Sequence, residues 1–244
     1  MSRQPEGPPP PPVVQRMRVR YTKRGRLRFI SHRDFARAFE RALHRSGVPV
    51  AFSAGFSPHP KVSYAGAAPT GAASEAEYLE IGLCEPRDPE WVRAALDAAL
   101  PVGLDVVRVV EAPPGEPALA ERIEASTWRI ELPGVPPRDG ADALAAFLAA
   151  DTLPVDRPTK DGVRRVDARA AVVAAETVDG APCATLDVVV RHVTPAVRPD
   201  DVVTALRRAA GLSTPVAPVA TRLAQGLLDA APPQAARHLV DPLG

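Results

Sequence analysis

The sequence feature that most constrains the fold is a proline-rich break near the middle of the chain, at residues 113–117, where three prolines flank a glycine and a glutamate. Proline has a fixed φ and no backbone N–H, so neither a helix nor a central strand can continue through this segment. We therefore predict two domains, at residues 16–111 and 126–224, joined by a Pro-rich linker at residues 112–125. The ends of the chain are predicted to be tails, at residues 1–15, which are proline-rich and disordered, and at residues 225–244.

In the first half, segments whose apolar residues alternate as in strands are interspersed with segments whose apolar residues recur as in helices. Residues 16–21 alternate basic and mostly apolar side chains as in a half-buried strand. Ser31, three residues before Asp34, and Gly47 mark the two ends of a helix. The other patterns in this half predict a helix at 89–99 and strands at 26–30, 48–52, 62–65, 76–83 and 103–110.

The second half repeats this order. Its patterns predict a strand at 127–132, a helix at 141–150, a hairpin from about 163 to 193 that turns at Asp179-Gly180, a helix at 199–210 and a strand at 216–223. Each half therefore reads approximately β-α-β-β-α-β, the element order of the ferredoxin-like fold. We predict an α+β protein built of two tandem ferredoxin-like units with antiparallel sheets.

Composition places the chain among soluble globular proteins, since 45% of its residues are hydrophobic and 24% are charged. It has no run of about 18 apolar residues and no secretory signal, so we expect a cytoplasmic protein without a membrane partner. The two cysteines, Cys84 and Cys183, favour buried thiols in a reducing compartment. Two cysteines are too few for a four-cysteine zinc site or for the three-cysteine cradle of a radical S-adenosylmethionine (SAM) cluster.

Positive charge is concentrated in one part of the first half. The net charge of the chain is +1, but residues 16–61 contain twelve Lys and Arg against two acids, Asp34 and Glu40, which makes this segment +10 and the remainder −9. Such asymmetry suggests a polyanionic partner for the basic segment. Within the predicted helix, the apolar residues Phe35, Phe39 and Leu43 form one face, and arginines recur at every fourth position along another face. The alternatives are a solvated surface or a binding face for an anion.

We take nucleic acid as the anion that this pattern favours. A smaller basic group in the second half surrounds a predicted strand, where a salt-bridge ladder between Arg165, Asp167 and Arg169 is an equally good explanation. The candidate nucleic-acid-binding residues are Arg28, Arg33, Arg37, Arg41, Arg45, His59, Lys61, Lys160, Arg164 and Arg165.

Two histidines are the candidate catalytic residues, since an imidazole beside a cation could act as general acid or base in RNA cleavage. His32 precedes Arg33, and His59 lies between two prolines before Lys61. A capping or packing role for His32 and a loop-locking hydrogen bond for His59 are the simpler interpretations. Both histidines are therefore candidates only, and no catalytic role is assigned to either.

A metal site formed by these histidines with Asp34, Glu75 and Glu77 lacks any compact ligand spacing. Glu75 and Glu77 alternate along a predicted strand and could instead pair with the arginines of the helix. The sequence has no Gly-rich phosphate loop, no dinucleotide fingerprint and no G-x-S-x-G motif. We therefore assign no metal and no cofactor, and we do not expect a self-sufficient enzyme.

Several segments resemble one known family. They are RLRFISHRD at 26–34, AFERAL at 38–43, GFSPHPK at 55–61, ASEAEYL at 73–79 and TKDGVRRVDAR at 159–169. In this order they resemble the motifs of the radical-SAM-associated family of unknown function, over roughly residues 16–225. The resemblance implies a partner: members are fused to, or encoded beside, a radical SAM protein with a cobalamin-binding-type domain, often near a ribonuclease of the E/G class.

Three functional hypotheses follow. The first, which we favour, is an accessory protein of a radical SAM enzyme that binds or presents RNA through its basic N-terminal face. The second is an RNA-processing or RNA-modifying enzyme that uses His32 or His59. The third is a scaffold that docks its basic face onto an acidic patch of the radical SAM partner.

Overall fold

The computed structural model describes residues 10–160, 162–229 and 239–244. The chain forms two compact units, one ending at Arg122 and the other beginning at Ile123. The break at residues 113–117 therefore belongs to the first unit, close to its end. Most of the predicted N-terminal tail, at residues 1–9, and residues 230–238 of the predicted C-terminal tail lie outside the described residues.

The first unit has the element order β-α-β-β-α-β. The elements are β1 (Gln15–Lys23), α1 (His32–Ser46), β2 (Val62–Ala65), β3 (Ala73–Leu83), α2 (Pro89–Ala99) and β4 (Val106–Glu111), with 3₁₀ helices at Gly25–Phe29 and Leu119–Arg122. These strands lie in the order β4-β1-β3-β2, and all of these pairings are antiparallel. In register, Val19 of the central strand β1 lies opposite Leu79 and Val109.

The second unit repeats this order with one insertion. The elements are β5 (Ala125–Leu132), α3 (Pro137–Ala149), β6 (Pro154–Thr159), β7 (Gly162–Asp167), α4 (Ala168–Ala171), β8 (Val172–Thr177), β9 (Ala184–Arg191), α5 (Pro199–Ala210), β10 (Val219–Leu228) and β11 (Leu239–Val240), which pairs with β10. Four of these strands lie in the order β10-β5-β9-β8 with antiparallel pairing, and β6 and β7 form a separate two-stranded ribbon.

The core of the first unit lies between one face of its sheet and the two helices. Met17 and Val19 of β1 and Leu79 and Ile81 of β3 are buried there against Phe39 of α1 and the buried residues of α2. Because side chains alternate along a strand, the even-numbered residues of β1 and β3 point to the opposite face of the sheet. The helices therefore cover one face, and Arg16, Arg18 and Glu80 belong to the other. The predicted mixture of helices and strands, with mostly antiparallel pairing of the strands, is thus confirmed.

Two predicted strands of the first unit are wrong. Residues 26–30 contain a 3₁₀ helix, in which the Leu27 N–H donates to the Arg24 carbonyl and the Ile30 N–H to the Leu27 carbonyl. Leu27 and Ile30 both pack on the core, and a spacing of three suits a 3₁₀ turn. Residues 48–52 make only isolated bridges, from Val50 to Leu83 and from Phe52 to Pro60, since Pro49 cannot donate to a ladder.

The predicted hairpin at 163–193 is interrupted in the second unit. The Asp167 side chain accepts hydrogen bonds from the Arg169 and Ala170 N–H groups and starts the short helix α4, so that β7 pairs with β6 instead of continuing into β8. The remaining hairpin, β8–β9, turns through Asp179 and Gly180, as predicted; Gly180 has φ +72°, which glycine adopts without strain.

Within the described residues, no helix combines the length and the apolar character needed to cross a membrane.

Candidate nucleic-acid interface

Helix α1 is the element that carries the predicted basic face. The Ser31 hydroxyl accepts a hydrogen bond from the Asp34 N–H at its start, and Gly47 adopts the left-handed conformation at its end, with φ +68°. Phe35, Phe39 and Leu43 are buried on the core side. These three residues fix the rotation of the helix, so the opposite side is turned to solvent.

The exposed side of α1 carries the arginine stripe, which we define as Arg33, Arg37, Arg41 and Arg45. All four are exposed. Arg45 donates to the Ala99 carbonyl, whereas Arg33, Arg37 and Arg41 make no hydrogen bond or ion pair with any residue that the structure describes. Residues four apart on a helix are neighbours, so these like charges repel one another.

The basic residues of β1 are used differently, because the fold itself engages them. Arg16 and Arg18 pair with Glu80, at 3.1 and 3.5 Å, and the Lys23 ammonium donates to the Ala68 carbonyl. Arg24 pairs with Glu75, and the pKa of Arg24 is raised mainly by their hydrogen bond and to a lesser extent by the charge of the Glu75 carboxylate. The net charge of the segment thus overstates the basic surface that has no acidic partner among the described residues. That surface is formed by the half-buried Arg28 and by the exposed Arg26, Arg33, Arg37, Arg41, Arg45 and Lys61.

An exposed aromatic residue lies just before α1. The Arg28 guanidinium lies over the Phe29 ring, 4.7 Å from its centroid, and 58% of Phe29 is exposed. The Arg28 Nε is buried and has no hydrogen-bond partner in the described structure. Phe29 and Arg28 together form a flat cationic surface two residues from the Ser31 cap, a type of surface on which nucleic-acid bases stack.

The two candidate catalytic histidines lie on different faces of the first sheet. The His32 ring packs edge-on against Tyr64, with 4.8 Å between centroids, and Tyr64 also contacts Phe35 on the core side. His59 instead lines a cavity with Ser63, the neighbour of Tyr64 on β2, whose side chain points the other way. Burial, and to a lesser extent the charge of Glu40, raises the pKa of Tyr64 to about 12, so its hydroxyl is protonated at neutral pH.

The loop that holds His59 is closed by its backbone. The Ser53 N–H donates to the His59 carbonyl at 2.8 Å, the His59 N–H donates to the Ser53 hydroxyl at 3.0 Å, and the Lys61 N–H donates to the Ala51 carbonyl at 2.7 Å. This closure leaves the imidazole out of the locking contacts. Both the His59 and Lys61 side chains are exposed.

The basic group of the second unit lies on the β6–β7 ribbon. Lys160, Arg164 and Arg165 are exposed there, and Arg165 lies 3.8 Å from Asp156 on the neighbouring strand. The predicted salt-bridge ladder is wrong for Arg169, because this residue belongs to α4 and donates to the Val172 carbonyl. The ribbon therefore presents a second, smaller basic surface, on a different unit from the arginine stripe.

The acidic candidates have partners other than the arginine stripe. Glu75 binds Arg24, as described above, and the buried Glu77 accepts a hydrogen bond from the Ala68 N–H at 3.2 Å. Asp34 accepts from the Ser31 hydroxyl at 2.7 Å. In the described parts of the chain, no three His, Cys, Asp or Glu side chains lie close enough together to hold a metal ion.

With this geometry in place, a comparison with protein families matches residues 16–199 to DUF2344, described as an uncharacterized protein conserved in bacteria. The chain belongs to this family. The DUF2344 match begins in β1, includes α1 and the His59 loop, and ends at the first residue of α5. A search of curated proteins finds no match.

Within this DUF2344 chain, sequence analysis missed the polar residues around His59. Arg16, Ser53, Ser63 and Glu80 line the same cavity as His59 and Lys61. The only local signal was the pair of prolines around His59. Glu80 of β3 lies near Ser63 and Arg16 because of the register in which β3 pairs with β2 and β1. The sequence of a single strand does not reveal that register.

Proposed function

We propose that this protein is a non-catalytic RNA-binding accessory protein that holds RNA against the arginine stripe of α1. The observation that supports this most strongly is the absence of described ion-pair partners for Arg33, Arg37 and Arg41, which are all exposed on one helix face. A phosphate backbone would neutralise these repelling charges and release its counterions. A face built for solvent alone would gain nothing from four arginines in register.

Unpaired RNA is the form that suits this surface best. Single-stranded RNA is bound by a basic surface that follows the backbone and by aromatic rings on which bases stack. Phe29, with Arg28 over its ring, lies immediately before the N-terminus of α1, so a strand that follows the stripe could place one base there.

We infer that chemistry on the RNA is supplied by a partner, a radical SAM protein. The support for this partner is the resemblance of the motifs at residues 26–79 and 159–169, and the same resemblance suggests a ribonuclease of the E/G class nearby. His32 and His59 lie on opposite faces of the sheet, so the alternative, an RNA-processing or RNA-modifying enzyme, would have to use one of these histidines without the other.

We also infer that each unit is a ferredoxin-like domain. The strand orders β4-β1-β3-β2 and β10-β5-β9-β8 both correspond to the order 4-1-3-2 when each unit's strands are numbered from one, without the ribbon. Antiparallel pairing and the β-α-β-β-α-β connection support this assignment. In the first unit, it places both helices, and hence the stripe, on one side of the sheet.

The test is binding of a fluorescent single-stranded RNA, measured by anisotropy. Arg37→Glu/Arg41→Glu is expected to weaken binding by about 100-fold or more, because two phosphate contacts become repulsive. The matched control is Arg138→Glu/Arg191→Glu, which makes the same charge change at exposed positions of the second unit and should cost less than about threefold.

Equal losses in the two double variants would contradict the proposal, because RNA binding would then depend on total charge and not on α1. Absence of RNA binding by the unmodified protein would also contradict it. The stripe would in that case be better explained as a docking face for an acidic protein.

A further inference from the structure

A second site lies on the first unit, on the face of the sheet that the helices leave uncovered. It is a cavity of about 330 Å³, within the range of small-molecule pockets. Its polar lining consists of Arg16, Ser53, His59, Lys61, Ser63 and Glu80. Because Arg16, Ser63 and Glu80 point away from the core, this cavity and the arginine stripe lie on different sides of the sheet.

Hydrogen-bond donors dominate the lining of this cavity. The Lys61 ammonium and the Ser63 hydroxyl have no hydrogen-bond partner within the described residues. Arg16 uses one guanidinium nitrogen on Glu80, which leaves other N–H groups available. The Ser53 hydroxyl accepts from the His59 N–H and can still donate its own proton. A ligand that satisfies this set must offer many acceptor oxygens.

The one carboxylate in the cavity does not make it unsuitable for an anion. Glu80 is held by Arg16 at 3.1 Å and by Arg18 at 3.5 Å, and Arg18 is only 2% exposed. With Glu80 neutralised in this way, Lys61 remains as an uncompensated cation beside the His59 imidazole. Glu80 can also accept a hydrogen bond from a ligand hydroxyl, which a ribose offers and a bare phosphate does not.

From this lining we propose that the cavity binds a ribonucleoside 5′-phosphate, with the phosphate at Lys61, Arg16 and the two serines and the ribose towards Glu80. A phosphate monoester supplies several acceptor oxygens and a double negative charge, which match these donors. The cavity is large enough for a nucleotide and not only for a phosphate. Free mononucleotides and the 5′ end of an RNA share this chemistry. The proposal does not depend on RNA binding by the arginine stripe.

The experiment compares AMP with adenosine on the full chain by isothermal titration calorimetry. AMP is expected to bind about tenfold or more tightly than adenosine, since charge-assisted hydrogen bonds to the phosphate are added. Lys61→Met should abolish this preference. Arg138→Met is the matched control, because Arg138 is also an exposed cation but lies on the second unit, and it should keep the preference.

Binding of a single-stranded RNA with and without a 5′-phosphate distinguishes the two sources of the ligand, a free nucleotide and the 5′ end of an RNA. A phosphate preference that Lys61→Met removes supports an RNA end, and a preference confined to AMP supports a free nucleotide. Arg37→Gln/Arg41→Gln should weaken binding of the RNA but leave the preference for AMP over adenosine intact. The experiment therefore distinguishes an error in the proposed RNA binding by the stripe from an error in the proposed nucleotide binding by the cavity. Equal affinity for AMP and adenosine, or equal effects of Lys61→Met and Arg138→Met, would overturn the proposal.

Discussion

At the scale of single residues, Arg18 shows how the proline-rich break is attached to the first unit. Its guanidinium is almost fully buried and donates to Glu80, to Glu116 and, at 2.8 Å, to the Pro117 carbonyl. The hydrogen bond from Arg18, together with the charge of Arg122, lowers the pKa of the Glu116 carboxyl. A buried charge is tolerated when its hydrogen bonds are satisfied, and here the partners come from β3 and from the break itself.

We therefore expect Arg18→Ala to lower the free energy of unfolding by about 3 kcal/mol. This is at the low end of the cost of breaking a buried ion pair, because Glu80 retains its ion pair with Arg16. Urea unfolding followed by circular dichroism measures this change. Arg16→Ala is the control: it also removes an arginine from Glu80, but its side chain is 66% exposed, so the cost should stay below about 1 kcal/mol. Equal costs would show that burial of Arg18 is not what matters.

His192 is expected to make the free energy of unfolding depend on pH. Its Nε2 lies 2.7 Å from the hydroxyl of the buried Ser126. Desolvation of the ring, and then the charge of Arg222, lowers its pKa, which a backbone hydrogen bond to Ile123 partly offsets. The unfolded state then binds the proton more readily than the folded state. Stability contributed by His192 is complete above the unfolded pKa of about 6.5 and falls as the pH drops below it.

The measurement is the free energy of unfolding between pH 5 and pH 8. For one proton the slope cannot exceed about 1.4 kcal/mol per pH unit. His192→Gln should flatten the loss that begins as the pH drops below about 6.5, whereas His44→Gln, on α1, should retain it. If the loss of stability at low pH is unchanged in His192→Gln, groups other than His192 cause it.

At the scale of elements, α1 combines a stabilising face with a destabilising one. Phe35, Phe39 and Leu43 anchor it to the core, and the stripe places like charges at three successive i, i+4 spacings. We expect Arg37→Gln/Arg41→Gln to stabilise the protein by about 0.6–1.5 kcal/mol at low salt, since each like-charged pair costs about 0.2–0.5 kcal/mol. The gain should disappear in high salt, where exposed charges are screened. A variant that is less stable than the unmodified protein in low salt would show that the stripe stabilises the fold.

The elements also show what sequence patterns can reveal. Helix α1 and the β8–β9 turn were predictable because their signals are local: Ser31 and Gly47 mark the helix, and Asp179-Gly180 marks the turn. The 3₁₀ helix before α1 was missed because the alternation of Leu27 with Phe29 also fits a strand, and only the structure shows that Leu27 and Ile30 both pack on the core. The β6–β7 ribbon was missed because residues 154–159 contain two prolines and resemble a loop.

At the scale of the whole molecule, the two units share a topology and differ in their charged surfaces. The first unit carries the arginine stripe on its helical side and the cavity of Arg16, Lys61 and Glu80 on the other side. These cavity residues are far apart in the sequence and meet only through strand register, so the cavity could not be predicted from spacing. The stripe could, because a helix brings every fourth residue together.

The measurement that tests the central claim most directly is the salt dependence of RNA binding. If the stripe contacts phosphates, the logarithm of the binding constant should fall linearly with the logarithm of the salt concentration, by about 0.7 per phosphate contact on a single strand. Arg37→Gln/Arg41→Gln should reduce that slope by about 1.4, and Arg138→Gln/Arg191→Gln should leave it unchanged. A slope near zero, or the same slope in both double variants, would contradict RNA binding by α1.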